Sequence, residues 1–239
     1  TRANTRGTRV HTDMKTLSER TKDGFKICLV MVDDATRKRY VVMLKRKSEF
    51  IDKFEEYRMT LLAEGVHIRA LRSDNDGTYR DSALKAYCQS HGIVQEFSPP
   101  YCPSANGVAE VSFRDLFCMA RCILADQNRA NNWWGVAVQF AADISNYLMT
   151  NAVDDIPPEA MWKDMPIDLS HFRVPLCDCF FYVEHKNRDD ATLSMVREPG
   201  VFVGYSKDSP CYMVKQISNG KVYARRYADV EFDERPKSG

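Results

Sequence analysis

The chain has 239 residues, 44% of them hydrophobic and 28% charged, with a formal net charge of +1. That composition excludes a disordered polar chain, and no apolar run reaches the length that crosses a bilayer. The length suits one or two domains with a sizeable core.

Charge is uneven along the chain: residues 1–150 carry 22 Lys and Arg against 18 Asp and Glu, and residues 151–239 carry 12 against 15. The basic first part fits a phosphate-binding surface, though an excess of four charges is weak support. The opening TRANTRGTRV is polar and lacks Met and any apolar signal segment, which reads as a piece of a longer polypeptide. None of the eight cysteines forms a CxxC pair, and the five histidines are not spaced to complete a zinc site with them. They read as reduced core cysteines, with no structural zinc.

Residues 8–14 form a short strand leading into Asp13. KDGFKICLVMVDD has a continuous apolar centre, as an interior strand does, and RYVVMLK pairs with it across a turn at Asp33, Asp34, Ala35 and Thr36. Asp33 and Asp34 read as turn residues, whose short side chains accept local backbone bonds. Ser48 is placed to cap a helix reaching about Ala63, with Phe50, Phe54, Tyr57 and Leu61 as its stripe and Gly65 as its stop. VHIRALRS returns as a strand that fades just before Asp74. RDSALKAYCQSHG is a helix, GIVQEFS a strand and PPYCPSANG a loop.

A helix from about Asn106 to Ala125 follows, with Phe113, Phe117, Ala120 and Leu124 on one face and Glu110 near its start. Asn131 or Asn132 caps the next, which buries Trp133, Ala137, Phe140, Ala141, Ile144 and Leu148. These aromatics read as core. From about Ile156 the chain becomes proline-rich and loop-like. FRVPLCDCFFYVEH, GVFVGYS, CYMVKQIS and KVYARRYADVEFDE then read as short antiparallel strands of a small barrel or sandwich.

Strand, hairpin, helix, strand, helix, strand and helix in that order give an α/β fold, a mixed sheet flanked by helices. Asp13 lies on its first strand and Asp74 at the end of a later one, where open α/β sheets place ligands. Glu110 follows Asp74 with 35 residues between. Three acids gathered by a fold repel one another unless they hold hard divalent cations, which prefer oxygen donors. On spacing alone, capping and solvation explain them as readily.

The residues carry a resemblance. HTD at 11–13, VDDATRKRYVVMLKRKSE at 32–49, LRSDNDGTY at 71–79, YCQSHGIVQEFSPPYCPSANGVAE at 87–110, MARCIL, and the closing GVFVGYS and DVEFDE are similar to the integrase of Ty/copia-type long-terminal-repeat retrotransposons. The likeness covers nearly the whole chain and places it in the retroviral integrase superfamily. It implies a ribonuclease-H-like core with a mixed five-stranded sheet over 1–160 and a small SH3-like β domain over 161–239. It also implies a D,D,E site at Asp13, Asp74 and Glu110, holding two Mg²⁺ or Mn²⁺ ions as an endonuclease and strand transferase. Such enzymes join the 3′ ends of element DNA to double-stranded target DNA by transesterification. They work as homo-oligomers without a membrane partner, in the nucleus and in cytoplasmic virus-like particles.

Asn75, Tyr101, Ser104, Asn106 and Arg114 are candidate DNA contacts near that site; capping, loop solvation and surface charge explain the same residue types. His11, two residues before Asp13, points to the same side of its strand, near the metals or in a structural role. Three positions depart from the family pattern: NDGTY stands for the usual NGGEY, Val111 for a basic residue after the Glu, and PSANG for PQQNG. The alternative is therefore a decayed or co-opted nucleic-acid- or protein-binding module. A ribonuclease H fits less well, because that activity generally needs a fourth acid.

Overall fold

The computed structural model describes residues 2–98, 107–183, 195–206 and 209–237. These divide into two units, one of residues up to Met119 with Ala141–Asp168, the other of Ala120–Phe140 with the residues from Leu169 onward. The boundary expected at 160/161 falls inside the last segment of the first unit. No helix among the described residues is long and apolar enough to cross a membrane.

The first unit is built on β1 (Arg9–Thr16), β2 (Ile27–Asp33), β3 (Arg39–Leu44), β4 (Ala70–Ser73) and β5 (Val94–Phe97), in the order β3-β2-β1-β4-β5. β1, β2 and β3 are antiparallel neighbours, while β4 and β5 run parallel to β1. All seven residues of β2 are buried, as a strand covered on both faces requires. Alternation sends Ile27, Leu29 and Met31 into a core shared with Phe50, Phe54, Tyr57 and Leu61 of α1 (Phe50–Ala63) and with Leu84 and Cys88 of α2 (Ser82–Ser90). Cys28, Val30 and Val32 face the other side. There Val32 shares a cavity of about 510 Å³ with Val108, Ser112 and Met119 of α3 (Gly107–Asp126).

The stripe of α1 is the expected one, but Ser48 does not cap it. A 3₁₀ turn over Lys47–Glu49 leads in without any side-chain cap. Gly65, at φ +72°, ends the helix: its N–H reaches Leu62 O at 2.9 Å and the Val66 N–H reaches Leu61 O at 2.9 Å, a Schellman pair. Asp81 caps α2 by accepting from the Ala83 N–H at 2.7 Å. In α3, Leu116 is buried and Phe117 only half so, because a 3.6-residue period drifts away from strict fourfold spacing. α4 (Trp134–Tyr147) follows a 3₁₀ turn whose N-cap is Ala130, so neither Asn131 nor Asn132 caps it, and Leu148 beyond it is exposed.

Within the first unit, the Asn146 side chain donates to Arg39 O at 2.9 Å and accepts from Arg39 N–H at 2.8 Å, completing a backbone pair on the outer strand β3. The stretch after Ile156, expected to be loop, contains α5 (Pro158–Lys163), begun by Pro158 at its first position. Trp162 drops into the core while its indole N–H donates to Glu64 at 2.7 Å.

The second unit holds β6 (Asp178–Tyr182), β7 (Arg197–Tyr205), β8 (Cys211–Gln216), β9 (Val222–Arg226) and β10 (Val230–Asp233), all antiparallel, in the order β10-β6-β7-β8-β9. KVYARRYADVEFDE therefore gives two strands, with a 3₁₀ turn between them. Phe202 is fully buried and sits edge-on to Tyr212 and Phe232. A bulge follows it, with Gly204 at φ +147°.

Candidate active site

The ladder between β1 and β4 ends two residues short of the first two acids. Arg9 pairs with Ala70, Val10 with Leu71 and His11 with Arg72. Carried two residues past that last pair, the same offset runs from Asp13 to Asp74, which follows the end of β4. Asp13 also pairs directly with Val30 across β1 and β2. Opposite residues of an antiparallel pair share a face, so Asp13 looks toward the side that α3 occupies. Glu110 lies exposed in the first turn of α3, where the helix N-terminus favours an anion.

The electrostatics agree with this placement. Burial, partly offset by the Met14 N–H that donates to Asp13 at 2.7 Å, pushes the Asp13 carboxyl up to about 6, and the negative charges of Asp74, Glu110 and Asp76 push in the same direction. Asp13 is thus a half-buried member of a group of acids that feel one another. Among the described residues, no three carboxylate, imidazole or thiolate groups are closed up as a metal cage.

Several side chains fix the turn after Asp74. Its Oδ1 accepts from the Asp76 N–H at 3.0 Å. Tyr79 is buried against the edge of Phe50, 5.1 Å between ring centres, and its carbonyl takes the Gln95 amide at 3.1 Å. Lys47 donates to Asp76 at 2.7 Å, and this contact, with the bond from the Thr78 N–H, holds the Asp76 carboxyl down to about 2. Lys47 was not singled out from the sequence, since KRK at 45–47 reads as an ordinary solvated charge run.

The remaining candidates fare differently. Asn75 spends its amide within the protein, donating to Ser98 O at 2.7 Å and accepting from Arg80 at 2.8 Å. Arg114 projects from α3 four residues after Glu110, on the same face, with its side chain 74% exposed. Tyr101, Ser104 and Asn106 lie outside the described residues.

His11 is buried and its Nε2 sits 3.0 Å from Asp34. Burial holds the imidazole below its ordinary range. Asp33 behaves as a turn residue, accepting from the Thr36 N–H at 2.8 Å, but it also takes the Gly7 N–H at 2.7 Å. Asp34 exceeds that role: it gathers Arg9 at 3.1 Å, Arg37 at 2.6 Å and the Ala3 N–H at 2.8 Å. Of the cysteines, Cys28, Cys88, Cys177 and Cys179 are buried as expected, whereas Cys118 and Cys122 of α3 are exposed.

The integrase core domain family matches residues 3–103, and the retroviral polymerase SH3-like domain family matches residues 177–238. Asp13 and Asp74 fall within the first match, and Glu110 lies beyond its end. The chain is 32% identical over 215 residues to the retrovirus-related Pol polyprotein from transposon TNT 1-94 of Nicotiana tabacum, covering 88% of this chain and 16% of that one. It is 29% identical over 216 residues to the Pol polyprotein from transposon RE2 of Arabidopsis thaliana, covering 89% and 14%. The chain thus spans about a sixth of the length of these relatives. In fold it is similar to a chain of the cryo-electron-microscopy structure of the simian T-cell lymphotropic virus intasome in complex with PP2A regulatory subunit B56 gamma. The TM-score is 0.56 at 14% identity, over 97% of this chain and 80% of that one.

Proposed function

Because this chain belongs to the integrase family of Ty/copia-type retrotransposon Pol polyproteins, we propose that Asp13, Asp74 and Glu110 form the D,D,E site of a metal-dependent DNA strand transferase. The observation that carries the reading is Asp13, half-buried, with its carboxyl raised first by burial and further by the charges of Asp74 and Glu110. A carboxylate held in that position at neutral pH gains from a cation, and three hard oxygen donors suit Mg²⁺ or Mn²⁺. Two such ions, when bound, supply the Lewis acidity that activates a 3′-hydroxyl or water and steadies the leaving 3′ oxygen.

The chain's own residues do the rest. β1 carries Asp13, Tyr79 anchors the turn after β4 that carries Asp74, and α3 carries Glu110 as a third element. Arg114, one turn beyond Glu110, reaches a phosphate of the strand being positioned. Asn75 holds its turn and meets DNA through the groups it orients, with Tyr101, Ser104 and Asn106 as further contacts. The substrates are element ends and double-stranded target DNA, engaged by a homo-oligomer in the nucleus after assembly in cytoplasmic particles.

The test is a branched DNA substrate that reports the reverse of strand transfer, assayed with Mn²⁺. Asp74→Asn and Glu110→Gln keep the far-ultraviolet circular dichroism of the parent and lose the activity; retained activity in either variant overturns the reading. DNA affinity falls steeply with added salt if phosphate contacts dominate.

The departures from the family pattern at NDGTY, Val111 and PSANG favour a second reading, a binding module descended from an integrase. Under it, DNA binding persists while Mn²⁺ shows no saturable binding.

A further inference from the structure

Beside the three proposed ligands lies a fourth carboxylate whose two oxygens are both occupied. Asp76 Oδ1 accepts from the Thr78 N–H at 2.9 Å, and Asp76 Oδ2 accepts from Lys47 Nζ at 2.7 Å. Lys47 comes from the 3₁₀ turn ahead of α1, 29 residues away in sequence, and reaches across to the Asp74 turn. The pair is partly open to water, with the lysine side chain 42% exposed and the aspartate 36% exposed. The Asp76 backbone N–H meanwhile holds Asp74 Oδ1 at 3.0 Å, so one residue ties a proposed ligand by its main chain and is itself tied by its side chain.

Surface ion pairs contribute little to stability, about 0–1 kcal/mol. Folding therefore gives Lys47 small reason to be there, and its effect is local. An acid two residues from Asp74, on a turn whose N–H groups already point at carboxylates, competes for any divalent ion the site takes. A cation seated on it removes that competition without a metal.

We infer that Lys47 is a positioning residue that acts as a built-in counter-cation, holding Asp76 out of the ligand set so that the divalent ions meet Asp13, Asp74 and Glu110. This rests on the metal-site reading above. With Lys47 gone, Asp76 is free to turn its Oδ2 toward the site, which then carries one more negative charge and one more oxygen donor. Metal uptake should rise while the geometry of the site is spoiled. Loss of a merely structural contact would leave metal binding unchanged or weaken it.

The test measures Mn²⁺ binding by the loss of the free-ion electron paramagnetic resonance signal, on the full chain and on Lys47→Gln, Asp76→Asn, the double variant and Asp13→Asn. Lys47→Gln should bind Mn²⁺ about tenfold more tightly, the order expected for one unit charge a few ångströms from a divalent ion in a water-rich site. The double variant should match the parent, because the competing acid and its cation are both gone, and Asp76→Asn should bind about tenfold more weakly, because Lys47 is then an unpaired cation beside the site. A parent-like or weaker isotherm for Lys47→Gln overturns the inference alone. So does a double variant as tight as Lys47→Gln, since the gain would then not pass through Asp76. A parent that takes up no Mn²⁺, or an Asp13→Asn that binds like the parent, removes the metal-site reading and this inference with it.

Discussion

Replacing Asp13 with Asn should stabilise the first unit near neutral pH. The carboxyl's rise from 3.8 to about 6 means that the folded state holds the proton more tightly than the unfolded chain does. Stability is therefore lost as pH climbs from the unfolded value through the folded one, and the penalty is complete above about pH 7. At about 1.4 kcal/mol per tenfold change in proton affinity, it amounts to about 3 kcal/mol, or about 2 kcal/mol after discounting for residual water contact. Asp13→Asn removes the charge and so recovers that amount at pH 7.5, but almost none at pH 4, where the folded parent is already protonated. Hydrogen exchange of the β2 amides reports the opening of this unit. It should slow about thirtyfold at pH 7.5 in the variant, the factor that matches 2 kcal/mol. Saturating Mg²⁺ should slow exchange in the parent and leave the variant nearly unmoved. Equal exchange in parent and variant at pH 7.5, or a gain of the same size at pH 4, would refute the view that Asp13 sits strained among its neighbours.

Gly7 has φ +73°, and a Cβ there would come within 2.0 Å of Val66 Cγ1. Gly7→Ala should cost about 2 kcal/mol or more in urea denaturation, and an unchanged midpoint would contradict the packing. Asn146→Ala leaves both polar groups of Arg39 without their side-chain partner and should cost about 2 kcal/mol by the same assay, with faster exchange confined to β3. In the other unit, a Cβ on Gly200 would lie 2.5 Å from Val214 Cγ1 and 3.0 Å from the Phe181 ring. Gly200→Ala should speed exchange in β7 and β8 and leave β1 and β2 as they were. Glu159 is buried between Lys38 at 2.8 Å and Lys163 at 3.0 Å, and those bonds hold its carboxyl below the ordinary range. Its contribution is full above the unfolded value and fades as pH falls through the folded one, so Glu159→Gln should destabilise at pH 7 and much less in acid.

The sheet was readable because its signals are local. The unbroken apolar centre of β2 and the period of α1 follow from burial alone, and both elements stand where the pattern puts them. Caps were less readable. Ser48, Asn131 and Asn132 have the right chemistry for an N-cap, yet the 3₁₀ turns that begin these helices place the first free N–H groups elsewhere. α5 was hidden by the prolines at 157 and 158, which forbid a helix interior but suit its first turn.

In the candidate site, the carboxylates could be named from a motif, while their surroundings could not. Lys47 reaches Asp76 only because the sheet brings residues 29 apart together, and no spacing rule announces such a pair. The double use of the Asn75 amide is equally a product of the fold, since Ser98 enters from the strand beyond.

The ladder between β1 and β4, whose last pair is His11 with Arg72, gives the spacing of the two acids just beyond it a digital character. Hydrogen-bonded strands can shift only by whole residues, and a slip of one would turn Asp74 to the opposite side of the sheet. Extra residues inserted between Thr16 and Ile27 can be absorbed as a bulging connection without shifting that ladder.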